Sequence, residues 1–496
     1  MKQYMTRYII IALTAISTAA CSDYLDVRPY DKIAEDDLFA TETGFQRLLN
    51  GIYIDLNSDA LYARTLTVET AELLAYDYAF GDNPTYWGDY TNLRNRNFNS
   101  DYWRNRLNAT WDKAYALILN CNTILENMEE RQQQPGFFTA DNYNLIRGEA
   151  LAMRAMLHFD MFRLFGPVYK INPTAASIPY CTSTNRQIQE LLPAREVVER
   201  LMDDLAEAER LLANDPIRSG GALEPAGPNE PLFTAYRGLR LNYYAVHALM
   251  ARVCYYAAAD ETSEKADYYA QEAIAHARTV IDSRRFPFVD RALVLGSPDN
   301  PDRIFHTECI FSLTNTSRGL LFKNNFDPQL NPRPFFRMEV SSLETIYFGG
   351  EYGGSTDDYR YIANWSKTGD AYYFYKFADL PDVSLLRNTM IPMIRLGEMY
   401  LIMADLQTDR TDKAYWLNQL RAHRGVGPMD AEKLYNAVLG YEFVRELYGE
   451  GQVFYYYKRN YRSIVSKFDN AGDVTVPASE KLYVIPLPDT ETENRQ

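Results

Sequence analysis

The sequence predicts a mainly α-helical chain. It reads as a solenoid-like scaffold of helical hairpins, interrupted by an irregular, loop-rich stretch with a few short strands. Three observations predict this. Apolar residues recur at helical spacing through most of the 496 residues. Several helical stretches come in pairs, joined by short turns and rich in alanine. Between 285 and 390 the periodicity gives way to prolines, glycines, asparagines and aromatics.

Taken in order, Thr43 stands as an N-cap before the stripe Phe45, Leu48, Leu49 and Ile52. Trp111, Tyr115, Ile118, Leu119 and Leu125 lie at helical spacing in the next stretch. "LIRGEALAMRAMLHFDMFRLFGPV" is a long helix that Gly166 and Pro167 stop. Val197, Leu201, Leu205, Ala208 and Leu212 share one face, with acids and arginines opposite. "LNYYAVHALMARVCYYAAAD" and "EKADYYAQEAIAHARTVID" follow, separated by a short turn at Glu261 to Ser263. Small residues such as Ala245, Ala248 and Ala251 allow close helix packing, so the pair resembles a tetratricopeptide unit without its full 34-residue signature. "IPMIRLGEMYLIMADLQTD" with "KAYWLNQLRAHRGV" repeats the idea. Looser pairs cover 103–165 and 193–258. The patch "SGGALEPAGPNEP" at 219–231 is a surface loop, and "ECIFSLT" and "AYYFYKF" alternate enough to be strands.

The first twenty residues differ from the rest. Lys2 and Arg7 precede an apolar or small run from Tyr8 to Ala20, too short for a bilayer core of roughly 30 Å. Small residues then meet Cys21. The expectation is a lipoprotein signal over residues 1–20, removed as Cys21 is lipidated; an ordinary secretion signal is the alternative. No later window holds about 18 uninterrupted apolar residues. Residues 21–496 therefore read as one body on a lipid anchor, with no long linker. Its 49 basic and 66 acidic residues give −17, which disfavours nucleic acid and anionic lipid as partners. Cys121, Cys181, Cys254 and Cys309 form no C-x-x-C; Cys121 and Cys254 sit in apolar helical runs where buried thiols are expected, and a disulfide stays open in an exported chain.

Signatures of catalysis are missing from the sequence. His158, His247, His276, His306 and His423 form no H-E-x-x-H and no close cluster with zinc spacing. His247, among alanines, reads as a core residue. There is no G-x-S-x-G, P-loop or dinucleotide fingerprint, and the paired acids at 36–37, 203–204 and 357–358 read as solvated surface. "SPDNPDR" at 297–303 forms turns more readily than a calcium loop. The expectation is no enzyme, no cofactor and no metal. The sharper signal is "AFGDNPTYWGDYTNLRNRNFNSDYW" at 79–103, where Tyr86, Trp87 and Tyr90 stand in a polar, Gly/Pro-marked stretch. Such rings stack on sugar faces or hold peptide side chains, while Asn83, Asp89, Asn92 and Arg94 can hydrogen-bond hydroxyls.

Five stretches, from "CSDYLDVRP" through "EALAMRAMLHFDMFRLFGPV", "YAVHALMARVCYYA" and "IPMIRLGEMYLIMAD" to "FVRELYGEGQVFYYYKR" with its "LYVIPLP" tail, resemble the SusD/RagB family of Bacteroidetes outer-membrane lipoproteins. The resemblance implies tetratricopeptide-like hairpins packed against an irregular, loop-rich half. It also implies a surface-exposed, lipid-anchored protein of the outer membrane that binds a glycan, or less readily a peptide, and delivers it to a TonB-dependent SusC-like transporter. Ligand-side insertions fall at 79–103 and 285–390. The ligand platform implied is Trp87 and Trp365 with Tyr352, Tyr359 and Tyr361; the alternative for either indole is packing within its own loop. Where the family carries an arginine and an aspartate in the C-terminal block, this chain has Val453 and Tyr456. A surface enzyme of a polysaccharide-degrading system is the competing function, and a purely structural envelope scaffold is a third.

Overall fold

A computed structural model describes residues 36–496, apart from 76, 79–83, 186, 229–230, 261, 297–298, 330–335, 370, 467–473, 494 and 496. The leader and Cys21 lie outside the described residues. The chain divides into two compact units, the first ending at Arg47 and the second running from Leu48 to the end. In the first, the Phe39 and Phe45 rings pack 4.6 Å apart. Helix α1 (Glu42–Asp55) begins one residue before Thr43. The side-chain cap is Thr41, whose Oγ1 accepts from the Gly44 N–H at 3.3 Å.

The second unit is built on a row of long helices. These are α3 (Asp101–Arg131), α4 (Ala140–Phe165), α5 (Ala194–Leu211), α6 (Tyr243–Ala257) and α7 (Ala266–Ser283), preceded by α2 (Pro84–Arg94). Each of α3 to α7 packs on the next, and α7 packs on the later α10 (Leu396–Leu406), which pairs with α11 (Arg410–Ala422). The four hairpins read from the sequence are these neighbours. Local chemistry sets their ends. Asn242 Oδ1 caps α6 by accepting from the Ala245 N–H at 2.9 Å. At the end of α4, a Cβ on Gly166 would meet Phe162 O at 2.5 Å and Ser177 Oγ at 2.6 Å, so only glycine lets the backbone turn there. Helix α6 lies between two neighbours and is buried almost throughout.

The interrupting stretch holds strands and short helices. Strand β1 (Cys309–Thr314) pairs antiparallel with β5 (Met390–Arg395), and β2 (Met338–Glu339), β4 (Ala371–Phe374) and β3 (Trp365–Thr368) form a second small sheet in that order. Helices α8 (Val340–Phe348) and α9 (Tyr359–Asn364) lie between them, and α12 (Asn436–Leu447) and α13 (Val453–Asn460) follow α11. Both expected strands are present. The expected loop at 79–103 is corrected: residues 84–94 are helical and α3 starts at Asp101. Pro84 suits a first helical position, where no N–H is needed, and buried Leu93 and Trp103 anchor the segment.

A buried ionic network fastens the irregular half to the helices. The Arg424 guanidinium, fully buried, spans Glu308 at 2.6 Å and Glu446 at 2.7 Å. Arg395 binds Glu446 and Glu450 at 2.7 Å each. Arg360 binds Asp358 at 2.6 Å, Glu442 at 3.0 Å and Glu446 at 3.1 Å. These residues come from β1, α9, β5 and α12 and the segments beside them, so one charge cluster ties distant stretches together. Burial alone would raise the Glu442 carboxyl; Arg360, Arg445 and Arg421 reverse this and hold it at about 2. In the C-terminal block, Val453 is buried and the Tyr456 ring stacks on Phe443 with centroids 4.0 Å apart. An aromatic stack thus stands where the family carries the aspartate. Among the described residues Cys121, Cys181, Cys254 and Cys309 are free thiols, and all but Cys181 are buried.

Candidate functional site

A continuous seam of aromatic rings joins the two regions singled out in the sequence. The Tyr90 ring meets Trp103 at 6.1 Å and Phe336 at 5.4 Å, edge to face. Phe336 stacks on Tyr78 at 4.5 Å, and Tyr78 meets Tyr448 at 5.8 Å. Tyr448 meets Trp365 at 5.0 Å, Trp365 meets Tyr347 at 6.4 Å, and Tyr347 meets Tyr361 at 5.7 Å. Helix α2, the small sheet and α9 thus share one aromatic core. Edge-to-face and tilted pairs dominate, as the ring quadrupoles favour.

The expected ligand residues occupy different positions along this seam. Tyr90 is buried, and its hydroxyl accepts from Arg64 at 3.1 Å. Trp365 is only 7% exposed, enclosed by Phe374, Tyr448 and Tyr347. It is a core ring, and that burial argues against a place on the platform. Tyr359 is half-buried against the cluster of Val289, Val294, Phe305 and Ala363. Tyr352 is half-buried beside Tyr441, ring centroids 4.4 Å apart. Tyr361 is the member that reaches the surface from the seam. It is half-buried, edge-on to Phe348 at 5.0 Å, and next to exposed Ile362. Burial and the neighbouring Tyr372 push its phenol up to about 12. Tyr86 and Trp87 lie in the first turn of α2, and their side chains lie outside the described residues.

Arg360 explains why Tyr361 stands where it does. It is the adjacent residue on α9, it is buried, and its three acidic partners fix the short helix. The Asp358 carboxylate also caps α9, accepting from the Arg360 N–H at 2.9 Å.

Sequence reasoning missed two features. A cleft of about 560 Å³ opens between α3, the 179–189 segment and the C-terminal residues, lined in part by Trp111, Tyr115, Asn122, Gln187, Gln189 and Arg495. The four-residue spacing that puts Trp111 and Tyr115 on one helical stripe also packs their rings against each other, tilted, with centroids 4.5 Å apart. The second feature is a contact between His247 and His276, whose Nδ1 atoms are 2.8 Å apart. They stand 29 residues apart on α6 and α7, so no spacing motif covers them.

Comparison with known proteins places this architecture among SusD-like folds. A family model described as "Starch-binding associating with outer membrane" matches residues 23–219, and the SusD family model matches residues 314–494. The chain belongs to the SusD/RagB family. SusD-like protein P2 of Formosa agariphila is 28% identical over 217 residues, which are 43% of this chain and 38% of that protein. SusD-like protein P38 of the same organism is 28% identical over 210 residues, 42% of this chain and 37% of that one. The matches thus span well under half of those curated relatives. Among solved structures, a SusD superfamily protein from Bacteroides thetaiotaomicron aligns at TM-score 0.68 and 20% identity, covering 92% of this chain and 98% of that one. Surface glycan-binding protein A from Bacteroides fluxus aligns at TM-score 0.63 and 19% identity, covering 92% and 97%. The shared fold is the mainly helical, tetratricopeptide-like one described above.

Proposed function

We propose that the protein is a surface-exposed, lipid-anchored outer-membrane protein that captures a glycan and delivers it to a TonB-dependent SusC-like transporter. Family membership supports the class of work. The observation that carries the reading is the aromatic seam running from α2 to α9, which ends at the surface in Tyr361 and Phe348. Flat rings held rigidly by a buried core suit the apolar faces of sugars, because little side-chain entropy is lost on stacking. Trp87 and Tyr86, at the start of α2, are the partners proposed from the sequence, with Tyr352 and Tyr359 nearby in the chain to Tyr361. The name of the Bacteroides fluxus structure supports glycan in place of peptide. No step of this work requires a bond to be broken, so the reading is of a binding protein and not an enzyme.

The anchor is proposed at Cys21, on the short apolar leader and the small residues before it. Cys21→Ala should abolish labelling by a palmitate analogue and release the protein from the membrane fraction. The functional test is incubation of the purified chain with a panel of oligosaccharides and peptides, following both binding and products. Glycan binding without turnover is expected; release of shorter sugars by the chain alone would establish the enzyme reading instead.

A further inference from the structure

Helices α5, α6 and α7 converge where Glu209, His247 and His276 meet. His247 is 4% exposed and His276 8%, so both imidazoles are held inside the helix packing. Their Nδ1 atoms are 2.8 Å apart, a distance at which one ring's N–H donates to the other's lone pair. The outer nitrogens face acids. His247 Nε2 is 3.4 Å from Glu209 Oε1, and His276 Nε2 is 3.6 Å from Glu272 Oε2. These separations exceed a good hydrogen bond, and both Nε2 atoms are buried with no hydrogen-bond partner.

We infer that Glu209, His247 and His276, with Glu272 at the rim, form a binding site for a divalent cation of the zinc class. One donor atom from each of Glu209, His247 and His276 lies within 4.8 Å of the other two, on three separate helices. Zinc bonds to imidazole nitrogen and carboxylate oxygen run at about 2.0–2.2 Å in a tetrahedron, so two donors sit ~3.4 Å apart around it. The His–His contact must therefore open by about half an ångström, a small rotation of one ring.

Electrostatics favour the ion. Burial drives both imidazoles to the neutral form that ligates metal, His247 to about 3 and His276 to about 4. Burial, then the charge of Glu272, raises the Glu209 carboxyl, a repulsion that a cation would relieve. Tyr243 packs edge-on to His247 at 4.6 Å. The cation nearby is Arg218, which also disfavours a charged His247; its guanidinium lies over the Tyr243 ring at 4.6 Å and donates to the Ala213 carbonyl. Two neutral nitrogens and the Glu209 carboxylate suit zinc, copper or nickel and are poor for calcium or magnesium, which take oxygen donors. A bound ion would pin three successive helices of the row.

The test uses the tag-free chain stripped with a chelator. Zinc affinity is measured by competition with a chromophoric chelator, and cobalt is added separately to read visible absorption. The expected result is one zinc per chain, cobalt bands of four- or five-coordinate intensity, and a raised melting temperature with zinc but not with equal calcium. His276→Gln and Glu209→Gln should each weaken zinc roughly 100-fold or more, since even outer-shell partners of metal ligands cost 10–100-fold. Glu209 is half-exposed, so its variant reports on the site whether or not the buried His276→Gln folds. Absence of stoichiometric zinc in the wild type, or unchanged affinity in Glu209→Gln, would overturn the inference.

Discussion

Trp365 and Tyr361 sit six residues or fewer from the same buried arginine, yet their rings do different work. Trp365 is enclosed by three rings, so Trp365→Ala should cost about 3–5 kcal/mol of stability, the range for deleting a large core aromatic. A denaturant melt checks this, and an unchanged midpoint would put the indole back at the surface. Tyr361→Ala should cost far less stability and act on affinity instead. The sequence marked both as aromatic residues in an irregular region. It held no signal for which ring is covered, because that depends on Tyr347 and Tyr448, up to 83 residues away. His158 gives a pH prediction. Its Nε2 accepts from the Cys181 N–H at 3.0 Å, which leaves Nδ1–H to donate to the Arg154 carbonyl at 2.9 Å. Burial, the larger cause, and Arg154 hold it neutral down to about 3. The unfolded chain takes up that proton near 6.5, so the folded state loses stability as pH falls from 6.5 towards 3. Each such histidine contributes up to about 1.4 kcal/mol per pH unit in that window. His158→Gln keeps one acceptor and one donor, and should flatten the dependence of unfolding free energy on pH between 6 and 5. An identical slope would contradict the assignment.

At the scale of elements, the long helices were legible because each carries its own period of apolar residues, and the pairs because short turns leave two helices little choice but to pack. Helix α2 was not legible. Gly88, Asp89 and Asn92 argue against a helix by propensity, and tertiary packing of Tyr90 and Leu93 overrides that. The Thr43 cap failed by two residues, a displacement within the usual uncertainty of helix starts. Ala251 tests the packing of the row. It is fully buried on α6, which lies between α5 and α7. Ala251→Leu should destabilise by roughly 1–3 kcal/mol through overpacking, read as a lower melting temperature. An unchanged melt would place Ala251 away from a helix–helix contact.

Across the whole molecule, a buried charge cluster joins the irregular half to the helical half. Glu446 lies at the centre, bound by Arg360, Arg395 and Arg424, and these cations hold its carboxyl well below the ordinary range. Glu446→Gln leaves three buried guanidiniums short of a counter-charge and should cost about 3–5 kcal/mol, measured by denaturant unfolding. None of this network was readable beforehand, because acids and arginines on surface helices and on buried ones look alike in sequence. The family resemblance was readable, since it rests on ordered blocks spread from residue 21 to the C-terminal segment. Glycan capture is proposed at the aromatic residues of α2 and α9. Its most direct test is calorimetric titration of the wild type, Trp87→Ala and Tyr361→Ala with the best-binding oligosaccharide of a panel. Wild-type binding is expected, weakened in each variant by about 1–3 kcal/mol, the range for an aromatic anchor, while the melting temperature stays within a few degrees. Wild-type affinity in both variants would contradict it and move the ligand to the cleft lined by Trp111 and Tyr115.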